Sequence, residues 1–258
     1  MKFLNNDLLV KFQYDIIMRY THSFKAIRKQ RHAGKISLII SGLILGLVIL
    51  LGFSALDAKL FFGGFLQSLT RVIISYGISL VIALLIALFT LSSKKIEDLL
   101  IPILDVLQSF PSFALYPLFV VWFGKTSLVT ILILIINMVW PILFTVLTAQ
   151  KQLRGDIVEA ATIFGAKGFK YLIFVFMPLI FPAIITGSLI AWGEAWEAII
   201  ATEIIVQVPG VGSYLAQTGD HNPQILLIGI ALLLMLLFLL NKYIWVPLLN
   251  LSTRYQNE

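Results

Sequence analysis

Six runs of mostly apolar residues, none with a charged side chain, constrain what this chain can fold into. The runs cover residues 36–53, 72–91, 106–124, 126–148, 171–193 and 223–241. A helix of roughly 20 apolar residues crosses about 30 Å of hydrocarbon, so each run predicts one crossing. The chain is 59% hydrophobic with a mean hydropathy of +0.97, which is more apolar than soluble domains are. We therefore expect an all-α, polytopic membrane protein with six transmembrane helices.

The segment before the first run, residues 1–35, carries apolar side chains at steps of three and four, beginning with Leu9, Phe12 and Ile16. This spacing predicts an interfacial amphipathic helix on the inner leaflet, with specific partner binding as the alternative. No small-residue cleavage site follows the first run, so we expect a retained span and not a signal peptide. The expected transmembrane domain is 36–250, followed by a cytoplasmic tail, 251–258.

The distribution of Lys and Arg predicts the orientation. With the N-terminus inside, all but three of the 19 basic residues lie on the inner side, the exceptions being Lys59, Lys125 and Arg71 at the outer mouth of the second run. Cationic loops are retained in the cytoplasm, so both termini are expected there. The net charge of +6 then indicates attraction to anionic lipid headgroups of the bilayer, and no nucleic acid is required.

Residues that could do chemistry are scarce in this sequence. The chain has no cysteine and only three histidines, which are far apart, so no metal site is predicted. A phosphate-binding Gly-x-x-x-x-Gly-Lys-Ser/Thr sequence is absent, so nucleotide chemistry would belong to a partner. No cluster of ionisable residues within the runs favours a membrane-embedded enzyme.

The stretch 151–178, between the fourth and fifth runs, is a charged segment on the predicted cytoplasmic side. Glu159 lies early in a predicted short helix, where an acidic side chain suits the positive helix end. Ala160 and Ala161 keep this helix slim, Gly165 permits a turn, and Pro178 begins the next span. The pattern predicts a docking surface for a soluble partner.

These residues resemble the signature of permease subunits of ATP-binding-cassette (ABC) importers: Glu-Ala-Ala, three residues, Gly, nine residues, then Ile-x-Leu-Pro. The chain has Glu159-Ala160-Ala161, Gly165 and Val175-Phe176-Met177-Pro178, with apolar substitutions at two positions. Segments 101–124 and 203–215 are similar to the nitrate, sulfonate and taurine type of permease, over a resemblance that extends from about Gly64 to Trp245.

The resemblance implies a permease that alternates between inward-open and outward-open states in a bacterial plasma membrane. In that family the loop fits a groove on a separate ATPase subunit, which binds ATP and Mg²⁺, so the permease itself has no cofactor. The implied partners are two ATPase subunits, an extracytoplasmic substrate-binding protein and a second permease copy, more often identical than different. The implied solute is nitrate, a sulfonate, taurine or a pyrimidine vitamin precursor.

Two groups of residues are candidates for the translocation path. Prolines within a span free backbone groups, which suits a helix beside a water-filled path, although a packing kink is equally compatible. The candidates in the third run are Ser109, Pro111, Ser112 and Pro117. In the outer half of the fifth span Glu194 and Glu197 share one face, which we expect to line the outer vestibule or gate. The alternative is an interfacial belt of Trp with solvated acids.

An ion-gradient-driven secondary transporter is the main alternative function. Such carriers have repeated, broken helices and charges near the bilayer midplane. The sequence shows neither clearly, so the ATP-driven importer is preferred.

Overall fold

The computed structural model describes residues 39, 40, 42, 43, 46, 56–91, 93–151 and 168–257. Every regular element within these parts of the chain is a helix, and no strand occurs among them. The predicted all-α class is therefore confirmed. The predicted amphipathic helix, 1–35, lies outside the described residues, as does most of the first apolar run.

Eight helices are labelled here in chain order. They are α1 (Ala58–Leu91), α2 (Lys94–Gln108), α3 (Tyr116–Phe123), α4 (Ser127–Lys151), α5 (Met177–Val206), α6 (Val211–His221), α7 (Pro223–Leu240) and α8 (Val246–Asn257). A 3₁₀ turn, Ser112–Leu115, precedes α3. One π-helical turn, Leu172–Phe176, leads into α5, and another, Asn241–Trp245, joins α7 to α8.

Among the described residues, four helical stretches are long and apolar enough to cross a membrane: Ala58–Leu91, Ser127–Lys151, Leu172–Val206 and Pro223–Ser252. Each contains or closely matches a predicted run, but three of them are considerably longer than the run. The 72–91 run began directly after Arg71, and the 171–193 run stopped directly before Glu194. The helices continue through these charged residues, because a helix end is set by backbone geometry and not by the first charge.

The predicted third span, 106–124, is not one straight helix. Lys94–Gln108 and Ser112–Phe123 are bent by 78° relative to one another. Pro111 lies at the break, where it lacks an N–H group and disfavours helical geometry at the preceding residue. Together the two pieces make a broken span or a re-entrant loop, so the described residues hold four spans, or five if this bent pair counts as one.

The core forms where α4 packs between α1 and α5. Along α1, Ser75 Oγ donates to the Ile131 carbonyl at 3.3 Å and Ser79 Oγ donates to the Ile135 carbonyl at 3.1 Å, so α1 and α4 are parallel. Helix α5 runs antiparallel and approaches α4 closely at Gly187, where a Cβ would lie 2.8 Å from the Pro141 carbonyl oxygen. Small residues permit such close contact between membrane helices.

The two ends of the helix bundle are named after residues that lie at them. One, called the Lys151 end, holds the end of α4 and the beginning of α5. The opposite one, called the Val206 end, holds the beginnings of α1 and α4, the end of α5, and α6. The predicted fifth run ended at Gly193, but α5 continues to Val206 and is followed, after a short turn, by α6.

Candidate functional site

A buried ion pair between Arg71 of α1 and Glu203 of α5 lies near the Val206 end. Arg71 Nη1 is 2.7 Å from Glu203 Oε1, and the two side chains are 9% and 0% exposed. Buried charges persist in proteins when they are paired and their remaining hydrogen-bonding capacity is satisfied. The pair therefore fixes α1 against α5.

Further hydrogen bonds extend this pair into a network that joins four elements. Glu203 Oε1 accepts a hydrogen bond from Ser68 Oγ at 2.7 Å, and Oε2 accepts one from the Gly212 N–H at 2.9 Å. Arg71 Nη2 donates to Ser127 Oγ at 3.0 Å. The network therefore ties α1, the beginning of α4, α5 and the beginning of α6 together, and we call it the outer lock.

Three glycines leave the space that the outer lock needs. A Cβ on Gly64 would lie 2.9 Å from the Gly210 carbonyl carbon, so α1 contacts the 207–210 turn through bare backbone. A Cβ on Gly210 would overlap the Glu203 carboxyl group, and one on Gly212 would lie 2.7 Å from the Ile200 carbonyl oxygen. The Val211 N–H then donates to Ser68 Oγ at 2.9 Å. The turn is thereby held directly over the ion pair.

The sequence did not predict this pairing. Arg71 was placed at the outer mouth of its span, whereas it is buried and bonded to a residue 132 positions away. The available signal was a single Arg directly before the 72–91 run and a single Glu ten residues after the 171–193 run. Since no periodicity joins two distant helices, the sequence alone could not show that they meet.

A cleft of 910 Å³ occupies the half of the bundle toward the Lys151 end. It lies between the α2–α3 break, α4 and α5, and we call it the central cleft. Its lining includes Gln108–Phe113 at the break, residues from Ile136 to Ala149 on α4, and residues from Leu179 to Glu194 on α5. The outer lock is formed by residues nearer the Val206 end of the same helices, so the cleft and the lock occupy successive levels of the bundle.

The central cleft brings together four of the six residues predicted for a translocation path. Ser109, Pro111, Ser112 and Glu194 all line it, although they come from two distant parts of the sequence. Pro117 does not line it and is exposed near the beginning of α3.

Glu197 also lies outside the central cleft. It contributes to a separate cavity of 710 Å³, which also includes Leu215 of α6 and Leu226 of α7. Trp196 is 4% exposed and stacks on Phe65 with ring centroids 5.4 Å apart, whereas Glu194 and Glu197 are exposed. The alternative of an interfacial Trp belt with solvated acids stays a prediction.

The predicted docking surface, residues 151–178, is called the docking loop, and most of it falls on residues that the structure does not describe. Glu159, Ala160, Ala161 and Gly165 lie in this part of the chain, so their predicted role stays a prediction. Pro178 is described: it is the second residue of α5 and is exposed at the Lys151 end.

Residues 79–246 match the family described as binding-protein-dependent transport system inner membrane component. The taurine transport system permease protein TauC of Escherichia coli is 28% identical over 67% of this chain and 63% of that relative. The bicarbonate transport system permease protein CmpB of Synechococcus elongatus is 29% identical over 61% of this chain and 57% of that relative.

A third relative is the nitrate import permease protein NrtB of a Synechocystis strain. It is 27% identical over 57% of this chain and 54% of that relative. The chain thus spans less than two thirds of the length of these curated relatives.

Proposed function

The chain belongs to the family of binding-protein-dependent transport system inner membrane components, and from this premise we propose that it is the permease subunit of an ATP-driven importer of a small solute. The names of its relatives support the nitrate, sulfonate and taurine branch that the sequence resembled. The single observation that carries the proposal is the central cleft, a 910 Å³ space within a bundle of membrane-spanning helices.

The central cleft is the proposed translocation path. Its lining from Ser109, Pro111, Ser112 and Glu194 is continuous with the Lys151 end, while the outer lock joins the helices toward the Val206 end. This arrangement is typical of an inward-open state. For Pro117 and Glu197 the geometry of this chain gives the path prediction no support, and they are left out of the proposed path.

The proposed energy source is a separate ATPase that binds ATP and Mg²⁺. The docking loop joins α4, which ends at Lys151, to the helical segment that resumes at Phe169, so the loop belongs to the Lys151 end. On the proposed orientation this end and both termini face the cytoplasm of a bacterium. Movement of the loop with the ATPase would then move α4 and α5, which form two walls of the central cleft.

The proposed assembly contains a second permease copy and an extracytoplasmic binding protein. Helix α5 leaves Thr186, Ile190 and Glu194 exposed along its cleft-facing side, so a single chain does not enclose the path. A second, identical copy would close it. The binding protein would deliver solute at the Val206 end, where α6 and the beginning of α1 are exposed.

A secondary transporter driven by an ion gradient remains the alternative to test. The Arg71–Glu203 pair is a charge pair of the kind that such carriers use. Here, however, both Glu203 carboxylate oxygens accept hydrogen bonds from protein groups, one of them the backbone N–H of Gly212. These bonds suit a structural contact between helices better than a site that binds and releases an ion. Family membership also supports the ATP-driven importer.

The docking loop provides the test of this function. Gly165→Trp and Glu159→Lys are each expected to abolish uptake and weaken co-purification of the ATPase, because they alter the proposed contact surface. Asp98→Lys is the matched control, since it makes the same charge change on an exposed residue at the Lys151 end outside the loop. Wild-type ATPase co-purification by both loop variants, at normal membrane insertion, would contradict the proposal.

A further inference from the structure

The hydroxyl groups that line the central cleft present mainly hydrogen-bond acceptors to it. Four of them donate their single proton to a carbonyl of their own helix: Thr145 to Pro141 at 2.7 Å, Thr148 to Phe144 at 2.7 Å, Thr186 to Pro182 at 2.9 Å, and Ser109 to Val106 at 2.7 Å. A hydroxyl that has donated its proton offers only lone pairs to a ligand. These hydroxyl groups therefore favour a solute that carries hydrogen-bond donors, while Gln108, Asn137 and Trp140 add side-chain N–H groups to the lining.

The charge of the cleft favours the same kind of solute. Among the described residues that line it, Glu194 is the one ionisable side chain, and neither Lys nor Arg contributes. Proteins bind nitrate-like and sulfonate-like anions through cationic side chains and N–H donors. A carboxylate midway along an apolar helix repels an anion and attracts a cation, and acids at such positions commonly serve a path.

Four aromatic side chains also line the cleft. Phe110 and Phe113 line it at the α2–α3 break, and Trp140 and Phe144 line it on α4. The rings of Trp140 and Phe144 lie 6.4 Å apart at an angle of 35°. Aromatic faces attract cations and stack on flat rings, with Trp the strongest of them.

We infer that the central cleft takes a small organic cation, an amine or amidine in its protonated form on a flat, apolar body. This inference rests on the proposed import function and specifies the chemistry of its solute. The Glu194 carboxylate pairs with the cationic N–H groups, and the aromatic side chains contact the body. The inference separates this chain from relatives whose names refer to nitrate and bicarbonate, which are inorganic anions.

Binding of three probes that share a phenyl ring to the full chain in lipid nanodiscs tests the inference. The probes are benzamidine, which is cationic at neutral pH, benzyl alcohol, which is neutral, and benzenesulfonate, which is anionic. Saturation-transfer NMR at several concentrations gives their dissociation constants. Benzamidine is expected to bind about tenfold or more tightly than benzenesulfonate, as a charge-assisted hydrogen bond implies.

Two matched variants locate the effect. Glu194→Gln is expected to weaken benzamidine binding about tenfold while leaving benzyl alcohol unchanged, because only the charged bond is lost. Glu197→Gln removes the same charge one turn further along α5, outside the cleft. It is expected to weaken benzamidine binding much less than Glu194→Gln does and to leave benzyl alcohol binding unchanged. Trp140→Leu is expected to weaken the binding of all three probes by a similar factor, because each carries the same phenyl ring.

Several results would overturn the inference. They are tighter binding of benzenesulfonate than of benzamidine, no detectable binding of benzamidine, or an equal effect of the two glutamine variants. Failure of the import proposal can be told apart from failure of this inference. It would appear as undiminished ATPase co-purification by the docking-loop variants, whatever the relative affinities of the three probes.

Discussion

Removal of Arg71 is the perturbation whose size follows most directly from the structure. Glu203 is fully buried, and Arg71 Nη1 lies 2.7 Å from its Oε1 atom. Arg71→Met removes the cation but leaves the carboxylate in an apolar bundle. Loss of one partner of a buried ion pair costs about 3–5 kcal/mol, because the remaining charge is uncompensated.

The second member of the pair makes this prediction sharper. Glu203→Gln in the Arg71→Met background removes the stranded charge, while the Gln side-chain oxygen still accepts a hydrogen bond from the Gly212 N–H or from Ser68. The double variant is therefore expected to regain most of the lost stability, since replacing a whole buried pair is often nearly neutral. The two substitutions are thus strongly non-additive, as expected of residues in direct contact.

Thermal unfolding of the purified protein in one detergent measures the effect. With roughly 2–4 °C per kcal/mol for a chain of this size, Arg71→Met should lower the unfolding midpoint by about 6–20 °C. Lys125→Met is the control, because Lys125 is an exposed cation at the same end that bonds Gln207 at 2.9 Å, and its loss should cost no more than about 0.5 kcal/mol. The reasoning is refuted if Arg71→Met behaves like Lys125→Met, or if the double variant is no more stable than the single one.

Glycine substitutions test the close contacts in two places. Gly64→Ala should lower the free energy of unfolding by about 1–3 kcal/mol, because its Cβ would press on the Gly210 backbone. Gly63→Ala is the control: its Cβ would meet nothing within 4 Å, so it should be neutral or slightly stabilising. Equal unfolding midpoints for the two variants would contradict the close contact at Gly64. Gly187→Ala should also lower the free energy of unfolding by about 1–3 kcal/mol, because its Cβ would push α5 away from the α4 backbone. Gly193→Ala is its control, since its Cβ would meet nothing within 4 Å. Equal unfolding midpoints for Gly187→Ala and Gly193→Ala would contradict the close α4–α5 contact.

Hydropathy alone predicted the helical class and the approximate positions of four spans. It failed where charged residues lie inside helices: Arg71 and Glu194 ended the predicted runs, although α1 and α5 continue through them. A charge interrupts a hydropathy run whether it is exposed, like Glu194, or buried in an ion pair, like Arg71. Only the tertiary structure distinguishes the two.

The candidate site was also predictable only in part. Prolines and small polar residues marked the α2–α3 break, and four of the six predicted path residues do meet at the central cleft. The outer lock was not predictable, because its central pair, Arg71 and Glu203, is separated by 132 residues in sequence. Pro117 is on the far side of the 78° bend, which a reading of 106–124 as one straight helix could not anticipate.

The sidedness of the docking loop tests the central claim most directly. Because the chain contains no cysteine, Lys167→Cys and Asp220→Cys each create a single reactive thiol, one in the loop and one on exposed α6 at the Val206 end. A membrane-impermeant maleimide applied to sealed, oriented vesicles should label Lys167→Cys only from the cytoplasmic face and Asp220→Cys only from the external face. Labelling of Lys167→Cys from the external face would contradict an ATP-coupled permease of this orientation.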